Sequence, residues 1–276
     1  MERNWFTGMK KLTTRKIRKS KLSATGKSLQ VLTCYDYQTA QMLNETELDM
    51  ILVGDSLGNV VLGYDTTVQV SLTEMSIFGA AVRRGAPNKF VIVDMPFGSY
   101  TTFDKALENA TKLFQETQAE ALKLEGAYPH QLDIIKRLTQ SGIPVMGHIG
   151  LTPQSVHEQG GYYTHGKDDS DKARLLAEAK LLEEAGCFSI VLECVTDEIA
   201  TIITRELSIP TIGIGAGKNT DGQVLVINDL LKMGPGKYPN FCKPIANFYE
   251  QKLKLISEYI LKSKKADNSD DADLHH

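Results

Sequence analysis

Eight apolar runs, each nearly continuous in Val, Ile and Leu and separated by segments of helical spacing, constrain this chain more than any other feature. They lie at residues 30–36, 50–55, 90–97, 121–126, 144–150, 189–195, 210–217 and 223–228. A strand that alternates apolar with polar residues has one wet face, whereas a run that is apolar throughout is covered on both. Residues 38–47, 71–84, 103–118, 129–139, 170–185 and 197–206 carry helical periodicity, and Ser71 with Glu74 makes a capping-box pattern at the start of one of them. The alternation predicts a parallel sheet wrapped by helices. Its economical closure is a (β/α)8 TIM barrel of α/β class. A doubly wound open sheet is the rival, because pattern alone does not show whether the first strand pairs with the last.

At 276 residues and 42% hydrophobic composition the chain suits one barrel better than two small domains. We place that domain at residues 25–261, with 241–261 as a last amphipathic helix packing on the barrel or on a neighbouring subunit. Residues 1–24 form a basic arm, whose stretch 10–21 holds Lys10, Lys11, Arg15, Lys16, Arg18, Lys19 and Lys21 and no acid. It reads as solvated, an organellar transit segment being the alternative. Residues 262–276 mix lysines, aspartates and serine without apolar periodicity, which predicts a disordered tail whose His275 and His276 are not metal ligands.

A net charge of −3 provides no general field for nucleic acid or an anionic membrane. The four cysteines include no CxxC pair, and some fall inside apolar runs, so they behave as small apolar groups in a reducing setting. No apolar stretch reaches bilayer length and no secretory signal opens the chain, so a soluble, cytoplasmic protein is expected.

Six of the runs end in a group that can hold a metal or move a proton: Asp36, Asp55, Asp94, Glu125, His148 and Glu193. In a closed parallel barrel the carboxyl ends of all strands share one mouth, so these distant residues would become neighbours. A bare carboxylate after a buried run is desolvated unless it is paired, protonated or bound to a cation. One cation would relieve Asp55 and Asp94 together. Hard oxygen donors without clustered Cys or His favour Mg2+, with Glu125 as a third, outer oxygen. The bland alternative is that each acid caps the next helix or pairs with a base such as Lys123 or Arg84.

Glu193, flanked by apolar residues in Val-Leu-Glu-Cys-Val, suits a general base, against a buried structural Glu satisfied by Lys or His. Lys123 lies two residues before Glu125, hence on the same face of its strand, where it can meet a substrate carboxylate or close a barrel salt bridge. His148 in Gly-His-Ile-Gly is read as a hydrogen-bonding residue lining the substrate site. Gly213-Ile-Gly-Ala-Gly217 has the composition of a backbone cradle for an anion, although glycines also serve close packing. The Gly-rich loop 56–67 and the Gly/Tyr/His-containing loop 154–167 are long enough to cover the mouth.

Taken in order, Leu32-Thr-Cys-Tyr-Asp-Tyr37, Val53-Gly-Asp-Ser-Leu-Gly58 with Val61-Leu-Gly-Tyr64, Arg84-Gly-Ala-Pro87, Lys123-Leu-Glu-Gly126, Gly147-His-Ile-Gly-Leu-Thr-Pro-Gln154, Leu192-Glu-Cys-Val195 and Gly213-Ile-Gly-Ala-Gly217 with Asp221-Gly-Gln223 closely resemble the ketopantoate hydroxymethyltransferase family. The likeness spans residues 25–245. It implies a barrel of the phosphoenolpyruvate/pyruvate superfamily, usually a homodecamer, acting in pantothenate and coenzyme A biosynthesis. The implied reaction carries a one-carbon unit from 5,10-methylenetetrahydrofolate to 2-oxoisovalerate, giving ketopantoate. Asp55 and Asp94 match the family's Mg2+ positions, Glu125 a further metal-associated acid, Ser56 and Lys123 substrate contacts, and Glu193 the proton acceptor. Two departures, Phe78 where relatives have His and Tyr163-Thr-His165 in place of a more basic, amide-containing stretch, bear on the folate side rather than the metal side. The rivals are a Mg2+-dependent lyase or mutase acting on another 2-oxo acid, and a catalytically silent barrel that binds a metabolite.

Overall fold

Eight strands pair in sequence order and close on themselves: β1 (Leu29–Thr33), β2 (Met50–Val53), β3 (Phe90–Asp94), β4 (Ala121–Glu125), β5 (Val145–Gly150), β6 (Ser189–Glu193), β7 (Thr211–Ile214) and β8 (Gly222–Leu225). All neighbours are parallel, and the pairing of β1 with β8, from Leu29 opposite Gly222 to Leu32 opposite Leu225, excludes the open sheet. The structure, a computed structural model, describes residues 11–266. The chain divides into two compact units, Met1–Val226, which holds the barrel, and Ile227–His276.

The helices of the first unit are α1 (Thr14–Ile17), α2 (Leu22–Thr25), α3 (Tyr37–Asn44), α4 (Leu72–Gly85), α5 (Phe103–Thr117), α6 (Pro129–Gln140), α7 (Val156–Gln159), α8 (Asp169–Glu184) and α9 (Asp197–Glu206). Their starts follow local chemistry. Ser71 accepts from the Glu74 amide while the Glu74 carboxylate accepts from the Ser71 amide at 2.7 Å, completing the capping box of α4. Pro129 occupies the first turn of α6, where its missing N–H costs nothing. The loop after β2 contains a π-helical turn at Gly58–Leu62 and a 3-10 turn at Thr67–Gln69. After β5 the chain makes a 3-10 turn at Pro153–Ser155 and then α7, so neither predicted loop is structureless.

Every residue of β2, β3, β4 and β5 is buried, which is the physical meaning of their continuous apolar runs. One buried cluster joins Leu29, Met50, Phe90 and Phe188 with inward residues such as Leu52, Ile92 and Met146. The rings of Phe90 and Phe188 meet edge to face with centroids 5.6 Å apart. Ile17 of α1 belongs to the same cluster and is fully buried, a contribution of about 2–3 kcal/mol for a side chain of this size. Residues 11–24 are therefore not the solvated arm expected from their charge: Ile17, with Leu12 packed against the same cluster, docks the segment on the barrel. Lys21 completes the docking. Its ammonium lies 2.7 Å from Asp221 Oδ2, while Asp221 also accepts from the amides of Leu22 at 2.8 Å and Thr211 at 2.9 Å.

In the second unit α10 (Ile227–Leu230) is followed by α11 (Phe248–Ala266). Amides of Ile245, Phe248 and Tyr249 donate to the carbonyls of Leu230, Leu231 and Lys232, tying the start of α11 to the end of α10. The helix starts later and runs further than its periodicity suggested, so residues 262–266 of the expected tail are helical. The remainder of that tail, with His275 and His276, and the first ten residues of the basic arm lie outside the described residues. Among the described residues no helix is long and apolar enough to cross a membrane.

Asp221 is almost fully buried and carries three strong donors, so Asp221→Ala leaves an unpaired ammonium and orphaned amides. We expect a loss of about 3–5 kcal/mol in urea unfolding. A loss below about 1 kcal/mol would show that the docked segment contributes nothing to the barrel.

Candidate active site

Strand register alone places the chemistry. Asp94 at the end of β3 is opposite Lys123 of β4, Glu125 of β4 is opposite His148 of β5, and Gly150 of β5 is opposite Glu193 of β6. Because side chains alternate, Lys123 and Glu125 share the inner face. Lys123 Nζ sits 2.9 Å from Asp94 Oδ2 and 3.5 Å from Glu125 Oε1. His148 Nδ1 is 3.2 Å from Glu125 Oε1, and its Nε2 is 3.3 Å from Glu193 Oε2 without the alignment of a hydrogen bond. The Asp55 amide, one residue beyond Gly54 at the end of β2, donates to Asp94 Oδ2 at 3.2 Å. Ser56 follows, its hydroxyl 2.8 Å from that of Tyr35.

Of the six strand-end groups, five therefore form one continuous network. Asp36 does not join it. It is exposed, and its carboxylate accepts from the Thr39 amide at 2.8 Å as the N-cap of α3, so for this acid the capping alternative is the observed role.

Four acids, Asp55, Asp94, Glu125 and Glu193, face one ammonium and one imidazole. Burial pushes the carboxyl of Asp55 well above the usual range; repulsion from Glu125 and Asp94 adds to this, and Lys123 offsets only part. Burial also raises Asp94, against the direct pull of Lys123. Glu125 goes the other way, because Lys123 and His148 outweigh its burial. Burial and Lys123 oppose a charge on His148, yet Glu125 and Glu193 outweigh both and raise it to about 9. Lys123 Nζ also lies 3.4 Å from His148 Nδ1, so the ring is held among the ammonium and the two glutamates.

The acid-rich corner fits a hard divalent cation. Asp94 Oδ1 is buried with no hydrogen-bond partner, and an orphaned carboxylate oxygen beside a second buried carboxylate is costly unless a cation completes it. Among the described residues no three His, Cys, Asp or Glu side chains form a group that could hold a metal ion. Magnesium requires less, since it keeps several waters and takes one or two protein carboxylates. Both oxygens of Glu125 are already engaged, Oε1 by Lys123 and His148 and Oε2 by the Gln154 amide at 3.1 Å, so it stands behind the pair.

Sequence reading missed Gln154, Tyr100 and Tyr162. Gln154 is buried and donates to Asp55 Oδ2 at 2.8 Å, while Tyr100 donates to Gln154 Oε1 at 2.6 Å. The sequence signal for Gln154 is its place at the end of the Gly147–Gln154 motif, in the 3-10 turn that follows β5. Tyr162 on the loop before α8 has an exposed ring, and its phenol is raised by burial and by the charges of Glu193, Asp55 and Glu125, which puts it within the field of the mouth.

The same loop carries His165, which is strapped to the chain after β6: its amide donates to the Cys194 carbonyl at 2.8 Å, and its carbonyl accepts from the Thr196 amide at 3.0 Å. Tyr163 leans on His165 with centroids 4.3 Å apart, and Phe78 is half-buried on α4. Gly150, at φ 96°, allows the loop to leave β5 against β6, where a Cβ would lie 2.3 Å from the Glu193 carbonyl oxygen. The glycines after β7 are not an anion cradle. A Cβ on Gly217 would lie 1.9 Å from Asp197 Oδ1, so a carboxylate occupies the space where an anion was expected.

A closed parallel barrel whose mouth gathers four acids around a buried Lys and a buried His defines a (β/α)8 barrel with the site of an enzyme. Solved structures agree on the fold. Phosphoenolpyruvate phosphomutase from Streptomyces platensis subsp. rosaceus superposes with a TM-score of 0.63 at 11% identity over 92% of this chain and 88% of its own. A 2,3-dimethylmalate lyase, described as a member of the PEP mutase/isocitrate lyase superfamily, superposes with a TM-score of 0.58 at 13% identity over 96% and 90%. Within that class the sequence is specific: the ketopantoate hydroxymethyltransferase family profile matches residues 11–268, and the chain belongs to this family. It is 47% identical to the 3-methyl-2-oxobutanoate hydroxymethyltransferase of Bacillus cereus (strain B4264) over 245 residues, 88% of each chain.

Thiol chemistry has no part in this site. Burial pushes Cys34 and Cys187 up to about 12, and burial followed by the Glu193 charge pushes Cys194 up to about 11. Native protein treated with iodoacetamide at about pH 8 should keep Cys34 and Cys187 unmodified by mass spectrometry, with both labelled after unfolding. Rapid labelling of either in the native protein would contradict their burial.

Proposed function

We propose that this chain transfers a hydroxymethyl group to 3-methyl-2-oxobutanoate, giving ketopantoate, with 5,10-methylenetetrahydrofolate as the one-carbon donor and Mg2+ held by Asp55 and Asp94. The observation that carries this reading is the partnerless Asp94 Oδ1 beside Asp55, on the same network as a glutamate able to take a proton. When bound, Mg2+ supplies a positive charge for the carboxylate and for the negative charge that develops on the 2-oxo oxygen.

The chain's own residues do the rest. Lys123 and Ser56 hold the substrate carboxylate, restricting its approach to one geometry. Tyr35 steadies the Ser56 hydroxyl. Glu193 takes the proton from C3, its carboxylate lying 3.3 Å from His148 Nε2. The carbanion equivalent at C3 forms the new carbon–carbon bond to the methylene carbon as that carbon's two C–N bonds to the folate break; water supplies the product's hydroxyl oxygen, and its remaining proton together with the one taken from C3 protonates the two leaving nitrogens, releasing tetrahydrofolate. Glu125 holds Lys123 and His148 in place from behind. The loops at 56–67 and 154–167, the second bearing Tyr162, restrict water at the C3 step. We also propose a cytoplasmic homo-oligomer, a decamer by family resemblance; it is supported by the exposed Leu253, Leu255, Ile256 and Tyr259 of α11.

Glu193→Gln should bind the 2-oxo acid with Mg2+ but lose C3 hydrogen exchange with deuterated solvent by about 100-fold or more, as read by NMR. Normal exchange in that variant refutes the assigned base. In isothermal titration Asp55→Ala and Asp94→Ala should each bind Mg2+ much more weakly, and unchanged titrations in both would remove the cation from the mechanism. Product formed from the 2-oxo acid without any folate would favour the lyase or mutase alternative.

A further inference from the structure

We infer that Gln154 is a positioning residue that holds Asp55 and Glu125 in register, and that Tyr100 locks its amide in the one orientation that does so. The inference rests on the cation-assisted reading above and extends it to residues that do not touch substrate.

Gln154 is 5% exposed and Tyr100 8%, so their polar groups must be satisfied within the protein. Gln154 has two amide hydrogens, and its Nε2 donates to Asp55 Oδ2 at 2.8 Å and to the Met95 carbonyl at 3.0 Å. Its Oε1 accepts the Tyr100 hydroxyl at 2.6 Å, and its main-chain amide donates to Glu125 Oε2 at 3.1 Å. All donors of the residue are committed. A flipped amide would set Oε1 against a carboxylate and a carbonyl, two acceptors facing an acceptor in a dry site, so the Tyr100 proton selects the orientation. With Oδ2 of Asp55 accepting the amide, the orientation of the carboxylate is fixed and Oδ1 is left clear of Gln154.

Four chain segments meet at this one residue: the end of β2 through Asp55 and the turn after β3 through Met95 and Tyr100 at its side chain, β4 through Glu125 at its main-chain amide, and the turn after β5 through Gln154 itself. Among the described residues Asp55 makes no ion pair with an ammonium, unlike Asp94 and Glu125, so its direction depends on the amide. Outer groups of this kind are worth about 10–100-fold in metal affinity when removed.

The test uses the full-length protein and Mn2+ alone, followed by electron paramagnetic resonance, with C3 solvent exchange of 3-methyl-2-oxobutanoate as a second readout. Gln154→Met keeps the side-chain length without its hydrogen bonds, and Tyr100→Phe removes one hydroxyl. Gln154→Met should bind Mn2+ about tenfold more weakly and Tyr100→Phe several-fold more weakly, with the double variant no weaker than Gln154→Met. At saturating cation kcat for exchange should fall while KM for the 2-oxo acid stays within about twofold. If Gln154→Met does not fold, Tyr100→Phe and Gln154→Asn carry the same comparison. Wild-type Mn2+ affinity in the folded variants, or losses that simply add in the double variant, would overturn the inference while leaving the proposed function intact. Failure of the unaltered protein to bind Mn2+ would overturn both.

Discussion

A buried ammonium holds the mouth of this barrel together. Lys123 sits between Asp94 and Glu125 in a dry interior, where isolated charges are prohibitively expensive and paired ones survive only with good geometry and further hydrogen bonds. Each partner is secured a second time: Asp94 by the Asp55 amide, Glu125 by His148 and the Gln154 amide. Removing Lys123 would leave these acids uncompensated and drive protons onto them, which would abolish a corner suited to a cation. The same excess of carboxylates over bases that makes the site costly in the free protein is what the proposed dication would relieve.

That arrangement is possible because a parallel barrel leaves little freedom in register. Shifting a strand by one residue would turn Lys123 and Glu125 outward and leucines inward. The apolar runs resist such a slip: Leu122 and Leu124 face the opposite side from Lys123 and Glu125 and are fully buried. Packing energy below the mouth therefore fixes ionic geometry at it, and the turns after the strands need only supply adjustments. The turn that carries Gln154 and the segment that straps His165 beside β6 are such adjustments, ordered by hydrogen bonds rather than by a core.

The fold was legible because its signal is redundant: eight buried runs, separated by helices, point to one closure. The acids were legible for the same reason, since a charged residue directly after a buried run needs a partner. Asp36 shows where that logic stops. It has the same local sequence setting as Asp55, yet the next helix begins one residue later and takes its carboxylate as a cap. Residues 11–24 show the reverse, where Ile17, with Leu12 packed against the same cluster, outweighs the charge pattern because burying it gains more than hydrating its neighbours. At Gly217 composition suggested an anion, and the approach of Asp197, set by the packing of α9, rules it out.

By itself the sequence determined the eight-fold alternation, the family and the strand ends from which chemistry would come, because periodicity and buried charge act locally and leave a local mark. Tertiary structure alone decided that β1 meets β8, that Asp94 faces Lys123 across a strand pair, that one imidazole touches two glutamates, and that Gln154 and Tyr100 brace the acids. Those are contacts between residues tens of positions apart, and their energies depend on distance and dielectric, which exist only once the barrel has closed.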